Sequence, residues 1–311
     1  MRPPAFVDAD LAGFASLVPG PEPADPATAR EMIRAFSELE APGRDVLIVT
    51  DRTVPGLEGG PPVAVRMYDP GRIGEPRPAV VVLHGGGFIA GDLDTENARC
   101  TRYAAETGCV AIAVDYRLAP EHPFPAAVHD CDAVVQWVAG AAAELGVDSA
   151  RIGIAGVSAG GALASSVALL DRDRGDHRLA FQLLVCPVLD DRMTTESTSF
   201  VGTPLLDGPA VRTLWRYYLG DRHDTASTSP YAAPARVVEV SGLPPTYVLT
   251  AELDPLRDEA LEFALRLLGA GVSVELRNVA GAFHGFDTLP TDLSRRAVDE
   301  QVTWIRRVTR R

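Results

Sequence analysis

Six short runs of apolar, mostly β-branched residues, at 79–83, 110–114, 152–155, 181–186, 247–250 and 272–279, lack the polar alternation of a half-exposed strand. Strands buried on both faces read this way. Ahead of them, 45–53 and 63–68 do alternate, with Gly/Pro-rich turn signals between and after, as a β-hairpin would. Helix-length segments at 96–107, 125–145, 159–170, 258–268 and 292–311 separate or follow the buried runs. Strand and helix therefore alternate, which predicts an α/β fold with a mostly parallel central sheet flanked by helices.

Two stretches break the rhythm. Residues 1–45 mix Pro-rich spacers with two helix-like patches, the clearer one spanning 27–39 with Met32, Ile33, Phe36 and Leu39 at helical spacing. Residues 191–243 place about 50 residues between two sheet strands and hold Trp215, Tyr217 and Tyr218. Loops that long in a compact domain are usually functional or disordered. We expect a core of 46–190 and 244–311, with 1–45 and the 191–243 insertion forming a helical cap over one end of the sheet.

Composition narrows the partners. All 29 basic side chains are Arg, set against 42 Asp+Glu, for a net charge of -13. Binding to phosphate backbones or anionic membranes needs clustered cations, so neither a nucleic acid nor a membrane is expected. A small molecule is the expected partner. Cys100, Cys109, Cys131 and Cys186 form no C-x-x-C pair and read as reduced core thiols, with neither a metal nor a cofactor implied. Residues 1–20 lack the basic start and apolar run of a signal peptide, and no run of about 18 apolar residues occurs, so a cytoplasmic protein is expected.

The chemistry begins at Gly156-Val157-Ser158-Ala159-Gly160, a G-x-S-x-G between a buried strand and an Ala-rich helix. That context is what a nucleophile elbow requires, and the helix N-terminus beneath Ser158 supplies N–H donors and a positive dipole end. Upstream, His84-Gly85-Gly86-Gly87-Phe88 closes another strand. Its glycines let backbone N–H groups turn inward and, with the N–H of Ala159, form an oxyanion hole. His84 precedes those donors and reads as a brace for the loop. A phosphate cradle is disfavoured because neither G-K-[ST] nor G-x-G-x-x-G is present. Among six histidines, His284 sits in a Gly-flanked loop after the last strand, and Asp254 follows the strand before it. The order Ser158, Asp254, His284 is nucleophile, acid, base, with all three just past strand ends on one sheet edge.

H-G-G-G-F at 84–88, D-Y-R-L-A-P-E-H-P-F-P-A-A at 115–127, G-V-S-A-G-G at 156–161, L-P-P-T at 243–246, D-P-L-R-D-E at 254–259 and H-G-F at 284–286 together resemble the hormone-sensitive-lipase-like bacterial esterases. The resemblance spans about 45–311 and implies an α/β-hydrolase core, a cap, and cofactor-free hydrolysis of short- to medium-chain acyl esters. It implies Ser158 as nucleophile, His284 as base, Asp254 as its partner, and Gly85, Gly86 and Ala159 as oxyanion donors. Tyr116 would support the elbow. Relatives often pair through the last strand and helix, which makes a homodimer an open expectation. Val157 departs from the family pattern, where Asp or Thr usually precedes the nucleophile.

Which cap side chains face substrate is left open among Phe14, Phe36, Leu205, Leu206 and the four favoured residues Phe88, Trp215, Tyr218 and Phe286. Two alternatives to a simple carboxylesterase stand: a lactone or natural-product ester hydrolase, and a non-catalytic small-molecule receptor or carrier on the same fold.

Overall fold

A computed structural model of the chain describes residues 6–15, 25–37, 46–71, 75–220 and 226–310. The eight strands are β1 Ile48–Val54, β2 Val63–Asp69, β3 Arg77–Leu83, β4 Val110–Asp115, β5 Val147–Val157, β6 Leu179–Val185, β7 Thr246–Ala251 and β8 Val274–Val279. They form one sheet in the order β1-β2-β4-β3-β5-β6-β7-β8. The hairpin strands β1 and β2 pair antiparallel, β2 lies antiparallel on β4, and every later pairing is parallel.

Alternate residues of the central strands feed two separate cores. Ala79, Val81 and Leu83 of β3, with Val110, Ile112 and Val114 of β4, point into one apolar cluster. Val80, Val82, Ala111 and Ala113 point into the other. A strand that must satisfy both cores has no solvent face, which is why these runs show no polar alternation. The first cluster is covered by α4 Ala126–Gly140, α6 Ala159–Asp173 and α8 Arg257–Gly269; the second by α1 Ala9–Ala15, α3 Asn97–Thr107 and α9 Asp292–Val308. Full burial of each large side chain contributes roughly 1.5–3 kcal/mol.

Three expectations need adjusting. β8 is only partly buried, because it is the edge strand with one neighbour, β7. The helix expected over 125–145 is two, α4 and the short α5 Ala142–Leu145, divided at Ala141. The N-terminal helix is α2 Pro26–Ser37; Leu39 and the Phe36 side chain lie outside the described residues, as does Asp45 at the start of the hairpin.

In the insertion, α7 Gly208–Leu219 begins with Asp207 accepting the Ala210 N–H, a side-chain N-cap followed by Pro209. Ala29 and Ile33 of α2 and Leu214 and Tyr217 of α7 share a small apolar cluster with Ile89, Ala90 and Ala119. Arg30 pins α2 there by donating to the Ile89 carbonyl at 2.8 Å. α2 and α7 thus meet over the loops that follow β3 and β4. All four cysteines are buried free thiols. Among the described residues, no helix is long and apolar enough to cross a membrane.

Candidate active site

β5 ends at Val157, and the chain turns through Ser158 (φ 56, ψ -117) directly into α6. That backbone conformation is one side chains rarely adopt, and it persists only where the surroundings over-determine it. Here they do. The Ser158 N–H donates to the Val185 carbonyl at 2.8 Å, and the Ser158 carbonyl accepts from Gly161 at 2.9 Å. The two glycines of the motif are steric necessities: a Cβ on Gly156 would overlap the Gly160 carbonyl, and one on Gly160 would overlap the Leu83 carbonyl.

Asp254 follows β7 and His284 follows β8, so the ends of three parallel strands, β5, β7 and β8, deliver three side chains to one place. The Ser158 hydroxyl donates to His284 Nε2 at 3.0 Å, and His284 Nδ1 donates to Asp254 Oδ2 at 2.7 Å. Asp254 Oδ1 accepts the Leu256 N–H at 2.9 Å, so each carboxylate oxygen holds one donor. Asp254 is fully buried, and Ser158 and His284 retain only 6% and 7% exposure. Burial pulls the His284 pKa down, but the charge and hydrogen bond of Asp254, with Asp287 nearby, raise it above the usual imidazole value. Cys186, expected only as a reduced core thiol, packs its sulfur within 4.8 Å of the Asp254 and His284 ligand atoms. Burial and the neighbouring carboxylate push its pKa well up, which keeps it an uncharged thiol.

The H-G-G-G-F loop lies across from the elbow. The position of a Gly85 Cβ would be 3.6 Å from that of Ser158. His84 is the brace expected: it stacks on Tyr116 with centroids 4.0 Å apart, and its Nδ1 donates to the Gly85 carbonyl at 2.7 Å. Burial pushes its pKa down to about 4, so it stays neutral. Tyr116 donates to the His84 carbonyl at 2.7 Å, which gives the D-Y-R segment its supporting place. The Gly85 N–H, expected as an oxyanion donor, also helps offset the charge of the buried Glu96 carboxylate. The N–H groups of Gly86 and Ala159 meet no acceptor among the described residues, and the same holds for Gly87, which sequence reasoning passed over.

The four aromatic residues expected against substrate are packed inside the apolar clusters. Phe88 stacks on Tyr218 at 3.8 Å and tilts against Trp215 at 5.7 Å, all inside the first core cluster. Phe286 lies in the cluster on the opposite face. None is more than 1% exposed, because these large rings fill the interior of the two apolar clusters. Half-buried aliphatic side chains lie against the glycines of the catalytic loops. Ile33 of α2 lies over Gly86, Leu214 of α7 over Gly87, and Leu205 over Gly285 beside His284. Leu205 is itself held at φ 65. Only Leu205 was among the candidates; Ile33 was legible as a helix-face residue and Leu214 carried no signal.

A model of the alpha/beta hydrolase fold matches residues 80–288. The chain belongs to the α/β-hydrolase fold family. Among its relatives, this hydrolase is 39% identical to "Esterase LipI" of Mycobacterium tuberculosis over 243 residues, covering 77% of this chain and 75% of the relative. It is 40% identical to "Carboxylesterase NlhH" of the same species, covering 77% and 76%. The solved structure of "Bacterial Heroin Esterase" superposes on the hydrolase with a TM-score of 0.93 at 41% identity, covering 98% of this chain and 99% of that one. Esterase LipW from Mycobacterium marinum gives 0.89 at 40% identity, covering 99% and 98%. The resemblance to the hormone-sensitive-lipase-like esterases is thereby borne out.

Proposed function

We propose that the hydrolase is a serine carboxylesterase acting on short- to medium-chain acyl esters. The observation that carries this is the unbroken line from the Ser158 hydroxyl through His284 to Asp254. Ser158 attacks the acyl carbonyl as His284 Nε2 takes its proton, and the buried Asp254 stabilises the imidazolium that forms. Charge on the carbonyl oxygen is met by the N–H groups of Gly86, Gly87 and Ala159, each contributing about 3 kcal/mol in such sites. His284 returns the proton to the departing alcohol, and water then repeats the sequence on the acyl-enzyme. Ile33, Leu205 and Leu214, from the two cap segments, bound the substrate. Branched aliphatic side chains wedged against loop glycines leave room for a small acyl group. A relative named "Ethyl acetate hydrolase", 34% identical, supports small esters.

A receptor or carrier on this fold has no need of an aligned base, which disfavours that reading. The test is turnover of p-nitrophenyl esters from acetate to octanoate by wild type and by Ser158→Ala. Wild type hydrolyses the short esters fastest and the variant none; wild-type rates in the variant would remove Ser158 from the mechanism. Pairing of two copies through the last strand, β8, and the last helix, α9, is also proposed, since β8 ends the sheet with only β7 beside it. Sedimentation showing a monomer at micromolar concentration would exclude it.

A further inference from the structure

Arg99 has the setting of a working residue outside the triad. It lies in the first turn of α3 and is only 6% exposed, although an Arg on a helix normally keeps its head in water. Its guanidinium spends its donors on three separate elements. Nε donates to Glu96 at 2.7 Å, one terminal nitrogen to Asp287 at 2.8 Å, and the other to Gln301 of α9 at 2.7 Å. Gln301 also accepts from Tyr103 at 2.6 Å, which fixes the anchor. Glu96 closes the loop that begins at the H-G-G-G motif and is the N-cap residue of α3, so holding its carboxylate holds the far end of that loop. Asp287 sits three residues beyond His284, in the one-turn helix Phe286–Thr288.

We infer that Arg99 is a positioning residue: it ties the oxyanion loop, through Glu96, to the histidine loop, through Asp287, so that the oxyanion donors and the base keep one separation. Two acids and one base, all buried, make a poor stabilising device, since buried ion pairs often do no better than apolar packing. What they do supply is direction, because a planar guanidinium binds its acceptors at fixed angles. A displacement of about 1 Å between catalytic groups costs on the order of 100-fold in rate, so the register matters. This inference rests on the triad reading of Ser158, His284 and Asp254.

The experiment is steady-state hydrolysis of p-nitrophenyl butyrate, with thermal melts, by Arg99→Lys, Glu96→Gln, Asp287→Asn and the Glu96→Gln/Asp287→Asn double variant. An ammonium cannot span three acceptors, so Arg99→Lys is expected to lose at least about tenfold in kcat with KM within about twofold. The two amide variants each lose about tenfold. Once one end of the bridge is cut the other transmits nothing, so the double variant loses about tenfold as well, not a hundredfold. Losses that multiply, or a folded Arg99→Lys with wild-type kcat, overturn the inference. Should Arg99→Lys not fold, the near-isosteric amide variants decide. Fluorophosphonate labelling of Ser158 in wild type separates the two levels. Labelling with multiplying losses refutes Arg99 alone, and no labelling refutes the triad and the bridge with it.

Discussion

Replacing Asp254 by Asn changes one atom and reverses the site's hydrogen-bond logic. Asp254 receives two donors, His284 Nδ1–H on Oδ2 and the Leu256 N–H on Oδ1. An amide has one acceptor. If its oxygen stays on Leu256, its NH2 faces Nδ1, which must then accept; Nε2 carries the hydrogen and the imidazole no longer takes a proton from Ser158. If the amide flips, a buried NH2 faces the Leu256 N–H, and two unmade hydrogen bonds cost roughly 2–4 kcal/mol. Taking about 3 kcal/mol leaves the productive tautomer near one part in a hundred. Loss of the carboxylate's charge-assisted bond to the imidazolium removes a further 1.5–3 kcal/mol or so, again about a hundredfold. The product is a fall of about 10⁴ in kcat/KM, the scale seen when such an acid is neutralised in a serine hydrolase. Hydrolysis of p-nitrophenyl butyrate near pH 7.5, with a melting curve to confirm folding, measures it. A folded variant that loses less than about thirtyfold refutes the reasoning.

Other perturbations test other parts of the account. Burial lowers but Asp254 and Asp287 raise the His284 pKa, for a net position above 6.5, and only the neutral ring is a base; activity is therefore lost as pH falls through that value. The acid limb of kcat/KM in wild type should have its midpoint above 6.5, and a lower midpoint contradicts the assignment. Leu214→Ala should raise kcat/KM for p-nitrophenyl octanoate relative to acetate by about tenfold, the scale of a methylene or two in an apolar pocket; an unchanged ratio removes Leu214 from the substrate wall. Val157 is 7% exposed within the second core cluster. Val157→Asp, the residue usual in relatives, should therefore destabilise this chain by about 2–3 kcal/mol in chemical denaturation, whereas Val157→Thr should cost half that or less; equal stabilities would contradict the packing argument.

Much of this was legible in the chain because strand-end chemistry is local. Ser158, Asp254 and His284 each sit a few residues past a strand of the parallel sheet, so the sheet brings them to one edge whatever the details of packing. Likewise Gly156 and Gly160 are demanded by contacts the motif makes with itself and with Leu83. The substrate wall was not legible, because which face a cap helix presents depends on what it packs against. α7 turns Trp215 and Tyr218 inward to fill space around Phe88, and that rotation leaves Leu214 on the loop glycines. Arg99 was hidden by its surroundings, since a helical Arg next to Glu reads as an exposed ion pair until α9 and the histidine loop close over it.

The central claim is that Ser158 is activated by His284 where the two meet, and covalent capture tests it most directly. Wild type treated with a fluorophosphonate should gain the mass of one adduct per chain, mapping to the peptide that contains Ser158. His284→Ala should label at least about a hundredfold more slowly. Ester turnover with no adduct, or an adduct on another residue, would contradict the account.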